Sequence, residues 1–290
     1  MQYLIEILVS GLSQGAAYCV FALGLSLVYG TSRVLNFAHG SLYTTAAYAS
    51  WVLSVGYFGL GLVPMILVLI PAMFLFGLAM ERVLVRPLRH QPNWQTATMM
   101  VTLGFAFVLD NLNLITFGPG SLNVPPVLEG TVHIGPSAIA LQSLFILLVS
   151  LGVVAALQIF LTYARLGQAI RAVSQDSVGA KMVGIRADRV FAFSFGLSAV
   201  LVGIAAVLLA PVYLISPLGG WAPFLKAFVI VVFGGLGSIQ GVLYAAFILG
   251  IVEAVVVAEF GATWTMPIWF LVLLLVLMIR PRGLLGKWGD

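Results

Sequence analysis

The chain has 290 residues, of which 62% are hydrophobic and only 8% charged, with a formal net charge of +4 and a mean hydropathy of +1.14. A soluble globular protein carries about 25% charged residues, so this composition cannot cover a water-facing surface and excludes one. The positive balance does not point to nucleic acid either, because the Lys and Arg residues gather in a few connecting stretches, as they do on the cytoplasmic side of membrane proteins.

Apolar segments fall at about 7–29, 34–55, 62–80, 96–117, 139–161, 190–213, 223–238, 239–258 and 264–279. A helix needs about 20 residues to cross the hydrocarbon core. Most of the nine qualify, and 223–238 is short and ends in "GGLGS". The start, "MQYLIEILVSG", has no basic stretch and carries Glu6, so the first run is expected to be a retained span rather than a cleaved signal. Cys19, the single cysteine, lies inside that run and is expected to be a packed thiol.

The second segment opens with "VLNFAHGSLY" (34–43). Arg33 marks its inner end, and Asn36 is expected about one turn into a helix. Side-chain amides and imidazoles in hydrocarbon need partners. Two readings stay open: Asn36 and His39 bond near the headgroups, or they line a polar seam and gate, with Gly40 allowing close helix approach.

Arg82, Arg86 and Arg89 follow the third segment; Arg165, Arg171, Lys181, Arg186 and Arg189 lie between the fifth and sixth; Arg280, Arg282 and Lys287 come last. Residues 118–138 hold no Lys or Arg, and Glu129 is their one acidic residue. The basic stretches are therefore expected in the cytoplasm, with 118–138 as an external loop, the N-terminus outside and the C-terminus inside. That parity favours nine crossings over eight. The fold class is an all-α polytopic membrane protein, one domain over 1–290. Trp221, Trp264 and Trp288 read as interfacial anchors.

The stretch 163–189, "YARLGQAIRAVSQDSVGAKMVGIRADR", is long for a connection between spans. Leu166, Ile170 and Val173 share one helical face, and the phase then breaks at Val178, Met182 and Val183. Asp176 is a natural N-cap and Gly184 a natural stop. Two short cytoplasmic helices are predicted, about 166–174 and 177–183. They either anchor the loop at the interface or form a rigid knob for a groove on another protein.

Four glycines in "GGLGSIQG" (234–241) predict a tight inner turn or a hinge around Gly234, Gly235, Gly237 and Ser238. Asp110, Lys226, Glu253 and Glu259 are ionisable groups inside spans, where each is a functional candidate. Lys226 and Glu259 fall near the outer face and can snorkel. Lys226 has Asp110 or Glu253 as candidate partners, and Asn111 and Asn113 are polar neighbours. A helix-locking pair is preferred to a proton relay. His39, His90 and His133 are dispersed, and no metal-ligand, nucleophile or phosphate-loop motif is present, so an enzyme is not expected.

Five blocks in order carry a resemblance across essentially the whole chain: "VLNFAHGSLY", "ERVLVRPLR" (81–89), the Arg165-x-Gly167-x-Ala169-x-Arg171-Ala172 run with Gly184-Ile185, "KAFVIVVFGGLGSIQG" (226–241) and "RPRGLLG" (280–286). The chain resembles the permease subunits of branched-chain amino acid ABC transporters, and Asn36 to Gly40 resemble the shorter, H-type subunit. The resemblance implies half of a translocation pathway, a second M-type permease, two ATP-binding subunits that bind and hydrolyse ATP with Mg, and an extracytoplasmic solute-binding protein. It implies a multi-pass protein of the bacterial inner membrane that itself binds no cofactor and no nucleic acid. Gly167, Arg171, Ala172, Asp176, Gly184 and Ile185 are its implied ATPase-contact or loop-shaping residues. Related permeases handle urea, amides or aromatic acids, and a self-sufficient secondary transporter is a further alternative.

Overall fold

A computed structural model describes residues 2–134, 137–280 and 283–285. The chain is a helical bundle. Helices α1 (Gln2–Ser32), α2 (His39–Trp51), α3 (Leu62–Met80) and α4 (Trp94–Phe117) come first. A small antiparallel hairpin follows, β1 (Thr131–Ile134) on β2 (Ser137–Ala140). Then come α5 (Leu141–Tyr163), α6 (Arg165–Gln175), α7 (Ser177–Met182), α8 (Ala187–Leu209), α9 (Trp221–Gly234), α10 (Ile239–Phe260) and α11 (Thr265–Ile279). Seven helices among the described residues are long and apolar enough to span a bilayer. The two other membrane segments are shorter: α2, prolonged by a wide turn Val52–Gly56, and α9, of 14 residues.

Successive helices alternate in direction, so the bundle has two ends. One carries Arg33, the α3–α4 connection, α6 and α7, and the α9–α10 turn. The other carries the hairpin. The first helix begins at the hairpin end, where the Tyr3 hydroxyl donates to Glu259 at 2.9 Å. The last described residues return to the basic end, where the Leu284 amide meets the Phe233 carbonyl at 2.7 Å. Arg282, Lys287 and Trp288 lie outside the described residues.

Helices α1 and α8 form the buried axis, while α11 is almost wholly exposed. Small residues set the central crossing. Gly11 and Gly15 of α1 face Ala246, Gly250 and Ala254 of α10, and a Cβ on Gly250 would lie 2.5 Å from the Gly11 carbonyl. Lipid tails are as apolar as Leu, so helices gain by such close backbone approach rather than by escaping water.

At the basic end Glu81, 2% exposed, forms an ion pair with Arg89, which also reaches Asp188 at 3.0 Å and lies over the Phe191 ring. The α3–α4 connection is thereby fastened to α8.

Candidate functional site

The 34–43 stretch departs from the expected helix. Helix α1 ends at Ser32, the chain turns at Arg33 (φ 56), and residues 34–38 run back into the bundle without helical structure. Asn36 is thus not a turn inside a helix. Its side-chain carbonyl accepts the Ala38 amide at 3.1 Å, and its backbone carbonyl accepts the His39 amide at 3.2 Å. Thr102 of α4 accepts the Phe37 amide. These bonds satisfy backbone groups that would otherwise be orphaned in a dry interior, and they launch α2 part-way through the bundle.

His39 is fully buried, and its Nε2 donates to the Phe21 carbonyl of α1 at 3.0 Å. A carbonyl can only accept, so the proton sits on Nε2, and Nδ1 has no partner among the described residues. The histidine lies beside the middle of α1, not at the headgroups, and inside this chain rather than on a face open to a second one. Gly40 permits the next contact. A Cβ on Gly40 would be 2.8 Å from the Gly220 carbonyl, and one on Gly220 would be 1.9 Å from the Gly40 carbonyl. The starts of α2 and α9 therefore meet backbone to backbone in mid-bundle.

The intramembrane charges sort around this junction. Lys226 of α9 forms an ion pair with Glu253 of α10, both at least nine-tenths buried. It also donates to the Tyr18 hydroxyl at 3.0 Å and lies over the Tyr18 and Trp269 rings. Tyr18 donates to Tyr213, and Tyr213 donates to Gln14. Lys226 is thus a buried, paired cation rather than a snorkelling one, and Asp110 is not its partner. Asp110 accepts the Trp221 indole N–H at 2.8 Å, which makes Trp221 a mid-bundle lock instead of an interfacial anchor. Asn113 donates to Thr45, and Asn111 to the Phe107 carbonyl. Glu259 stays exposed beside Tyr3.

The knob matches the predicted boundaries within a residue or two. Asp176 accepts the Val178 amide at 2.9 Å as the N-cap of α7, and Gly184 turns the chain at φ 85. Ile170 and Val173 of α6 are buried, but Leu166 is exposed. Gly167 takes the inner position instead, where a Cβ would lie 2.2 Å from the Phe160 carbonyl. Ala172 and Ile185 are half-buried, and the Ile185 amide closes the knob on the Ala180 carbonyl. Arg171 is exposed and reaches the Thr162 carbonyl at 3.5 Å. Val178, Met182 and Val183 project from the knob, 62%, 84% and 76% exposed.

Gly234, Gly235, Gly237 and Ser238 form the tight connection at the basic end. Gly235 and Gly237 take φ values of 103 and 81, and Ser238 caps α10 by accepting the Gly241 amide at 3.1 Å. Gly234 packs against the Gly241 backbone.

Tyrosines 18, 43 and 213 and the Glu81–Arg89–Asp188 cluster were not singled out as candidates in the sequence. Hydroxyls inside apolar runs were the available signal for Tyr18 and Tyr43. Among the described residues no three His, Cys, Asp or Glu side chains converge as a metal site would require.

Residues 7–280 match the family described as the permease component of the branched-chain amino acid transport system. The chain is 31% identical to the high-affinity branched-chain amino acid transport system permease protein LivH of Salmonella typhimurium, over 98% of this chain and 96% of that protein. It is 32% identical to the corresponding permease protein BraD of Pseudomonas aeruginosa, over 97% and 95%. It is 29% identical to permease protein LivM of Salmonella typhimurium, over 92% of this chain and 67% of that protein.

Proposed function

The chain belongs to the family of branched-chain amino acid transport system permeases, and from that premise we propose that it forms one half of the membrane passage of an ATP-driven importer for branched-chain or closely related amino acids. It is a multi-pass membrane protein, and the basic end is its cytoplasmic face. A second, M-type permease completes the passage. Two separate subunits bind and hydrolyse ATP with Mg, and an extracytoplasmic binding protein delivers solute at the hairpin end.

One observation carries this reading: three apolar side chains project from a short, well-braced helix and its C-cap at the basic end. Val178 and Met182, on a helix of six residues, and Val183 at its C-cap are mostly exposed, and such a helix is too short to stand alone in water. Its N-cap, the Ala180 side chain and the Gly184 turn brace it. Such a surface suits a groove on another protein. The force it receives has a rigid route inward, because α6 packs on α1, α5 and α8, and α1 and α8 are the buried axis. A docking subunit that moves the knob therefore moves the centre of the bundle.

The test is copurification after mild solubilisation. The native protein is expected to bring down a second permease and two ATPase subunits. Met182→Asp with Val178→Asp is expected to leave the permease pair intact and release the ATPases. Vesicles that hold this polypeptide alone and move leucine on an ion gradient would overturn the reading.

A further inference from the structure

Between α1, α2, the first turns of α9 and the 210–220 segment lies a cavity of about 210 Å³. It sits on the hairpin-end side of the α2–α9 junction, remote from the knob. We propose that this cavity is a binding position, within the single subunit, for the carboxylate of a small aliphatic amino acid. This deepens the importer reading and rests on it for the identity of the amino acid.

Beside the Tyr18, Thr44 and Tyr213 hydroxyls, which already donate within the chain, its wall carries donors that the internal network leaves over. Lys226 has three N–H groups and uses two, on Tyr18 and Glu253. Tyr43 lines the cavity and is 7% exposed, and its hydroxyl has no hydrogen-bond partner among the described residues. Ser216 lines it with an uncommitted hydroxyl. The first turn of α9, a helix of 14 residues, adds the Ala222 amide, which has no carbonyl behind it and lies at the positive end of the helix. Broken helices that begin inside a bundle present such amides to anionic groups.

The remaining wall selects the rest of the ligand. Ala47, Leu209 and Leu214 supply apolar surface. Glu253 neutralises Lys226, and Asp110 faces the far side of the α9 start through Trp221. The pocket therefore offers donors without net positive charge. A zwitterion with an apolar side chain fits that balance better than an inorganic anion does. Leu214 and Tyr213 line the cavity and are exposed at the hairpin end, which gives the ligand an entry from that side.

The experiment uses the assembled transporter in nanodiscs without nucleotide. This chain carries Cys19→Ala to remove its one thiol, plus Ala222→Cys as a reporter, which lines the cavity and keeps the backbone amide at that position. Modification by methyl methanethiosulfonate, a reagent smaller than leucine, is followed on this chain by mass spectrometry. L-Leucine and 4-methylpentanoate are expected to slow modification about tenfold at saturation, and isoamylamine, which lacks the carboxylate, to leave it unchanged. Tyr43→Phe removes one oxygen and is expected to weaken the leucine protection about tenfold.

Equal rates with and without leucine would overturn the proposal, as would protection by isoamylamine. A reporter thiol that never reacts would overturn it too, because leucine could not enter either. ATP-driven leucine uptake by the same transporter separates the two readings. Uptake without protection sinks the cavity and leaves the importer, whereas protection without uptake sinks the importer and leaves the carboxylate site.

Discussion

The α6–α7 knob and the junction of α2 with α9 are both built from short helices, but different forces hold them. The knob stands at the basic end on local devices: a side-chain cap two residues from the amide that donates to it, a glycine turn, and a few apolar residues seated on the bundle. The junction stands in mid-bundle on partnerships between distant segments, Gly40 with Gly220 and Lys226 with Tyr18 and Glu253. A knob made this way can yield by small steps. A junction in a dry interior has no water to replace a lost contact, so it fails abruptly.

The sharpest break of that comparison is at Gly220. A Cβ there would lie 1.9 Å from the Gly40 carbonyl and 2.5 Å from the Thr44 hydroxyl. Backbone cannot retreat as a flexible side chain can. Gly220→Val is expected to abolish the folded subunit, read as loss of the monodisperse peak on size exclusion in mild detergent. Gly104→Ala is the control: its added Cβ would meet nothing within 4 Å, and the helix should gain about 1 kcal/mol or less.

Lys226→Met comes next. It leaves the Glu253 carboxylate buried without its cation, at about 3–5 kcal/mol. Removing the second charge as well, with Glu253→Met, is expected to recover most of the thermal stability, because a buried pair replaced by apolar groups of similar size is often neutral. If Lys226→Met kept native stability but abolished ATP-coupled uptake, the pair would not be a structural lock.

The same division explains what could be read before the structure. The knob was legible because Asp176, Gly184 and the phase break at Val178 act within one or two turns of chain. The spans were legible because lipid demands long apolar runs. The re-entry at 34–38 was not, since an apolar run that includes irregular chain looks like one that is all helix. Asn36 signalled a departure, but only the neighbouring Thr102, 65 residues away from Phe37, shows how the backbone is satisfied. Lys226 had two candidate carboxylates, and neither composition nor spacing could choose Glu253. That choice depends on the α9–α10 turn, whose glycines bring the two helices into contact.

The smallest effect, Asp176→Ala, tests the other side of the comparison. Loss of the cap is expected to destabilise α7 by about 1 kcal/mol. Ile170 and Val173 stay buried in α6, so the loss remains local, and the thermal midpoint of the whole subunit should barely move. What changes is the fraction of time the knob presents Val178, Met182 and Val183 in the orientation a partner recognises. If the knob docks an ATPase subunit as proposed, uptake should fall by several-fold when that subunit is limiting and recover as it is raised, because the partner's binding energy can restore the helix. Asp176→Asn keeps a capping oxygen and should behave as the native protein. A fall in uptake shared equally by Ala and Asn would move the role of Asp176 from shaping the knob to touching the partner through its charge.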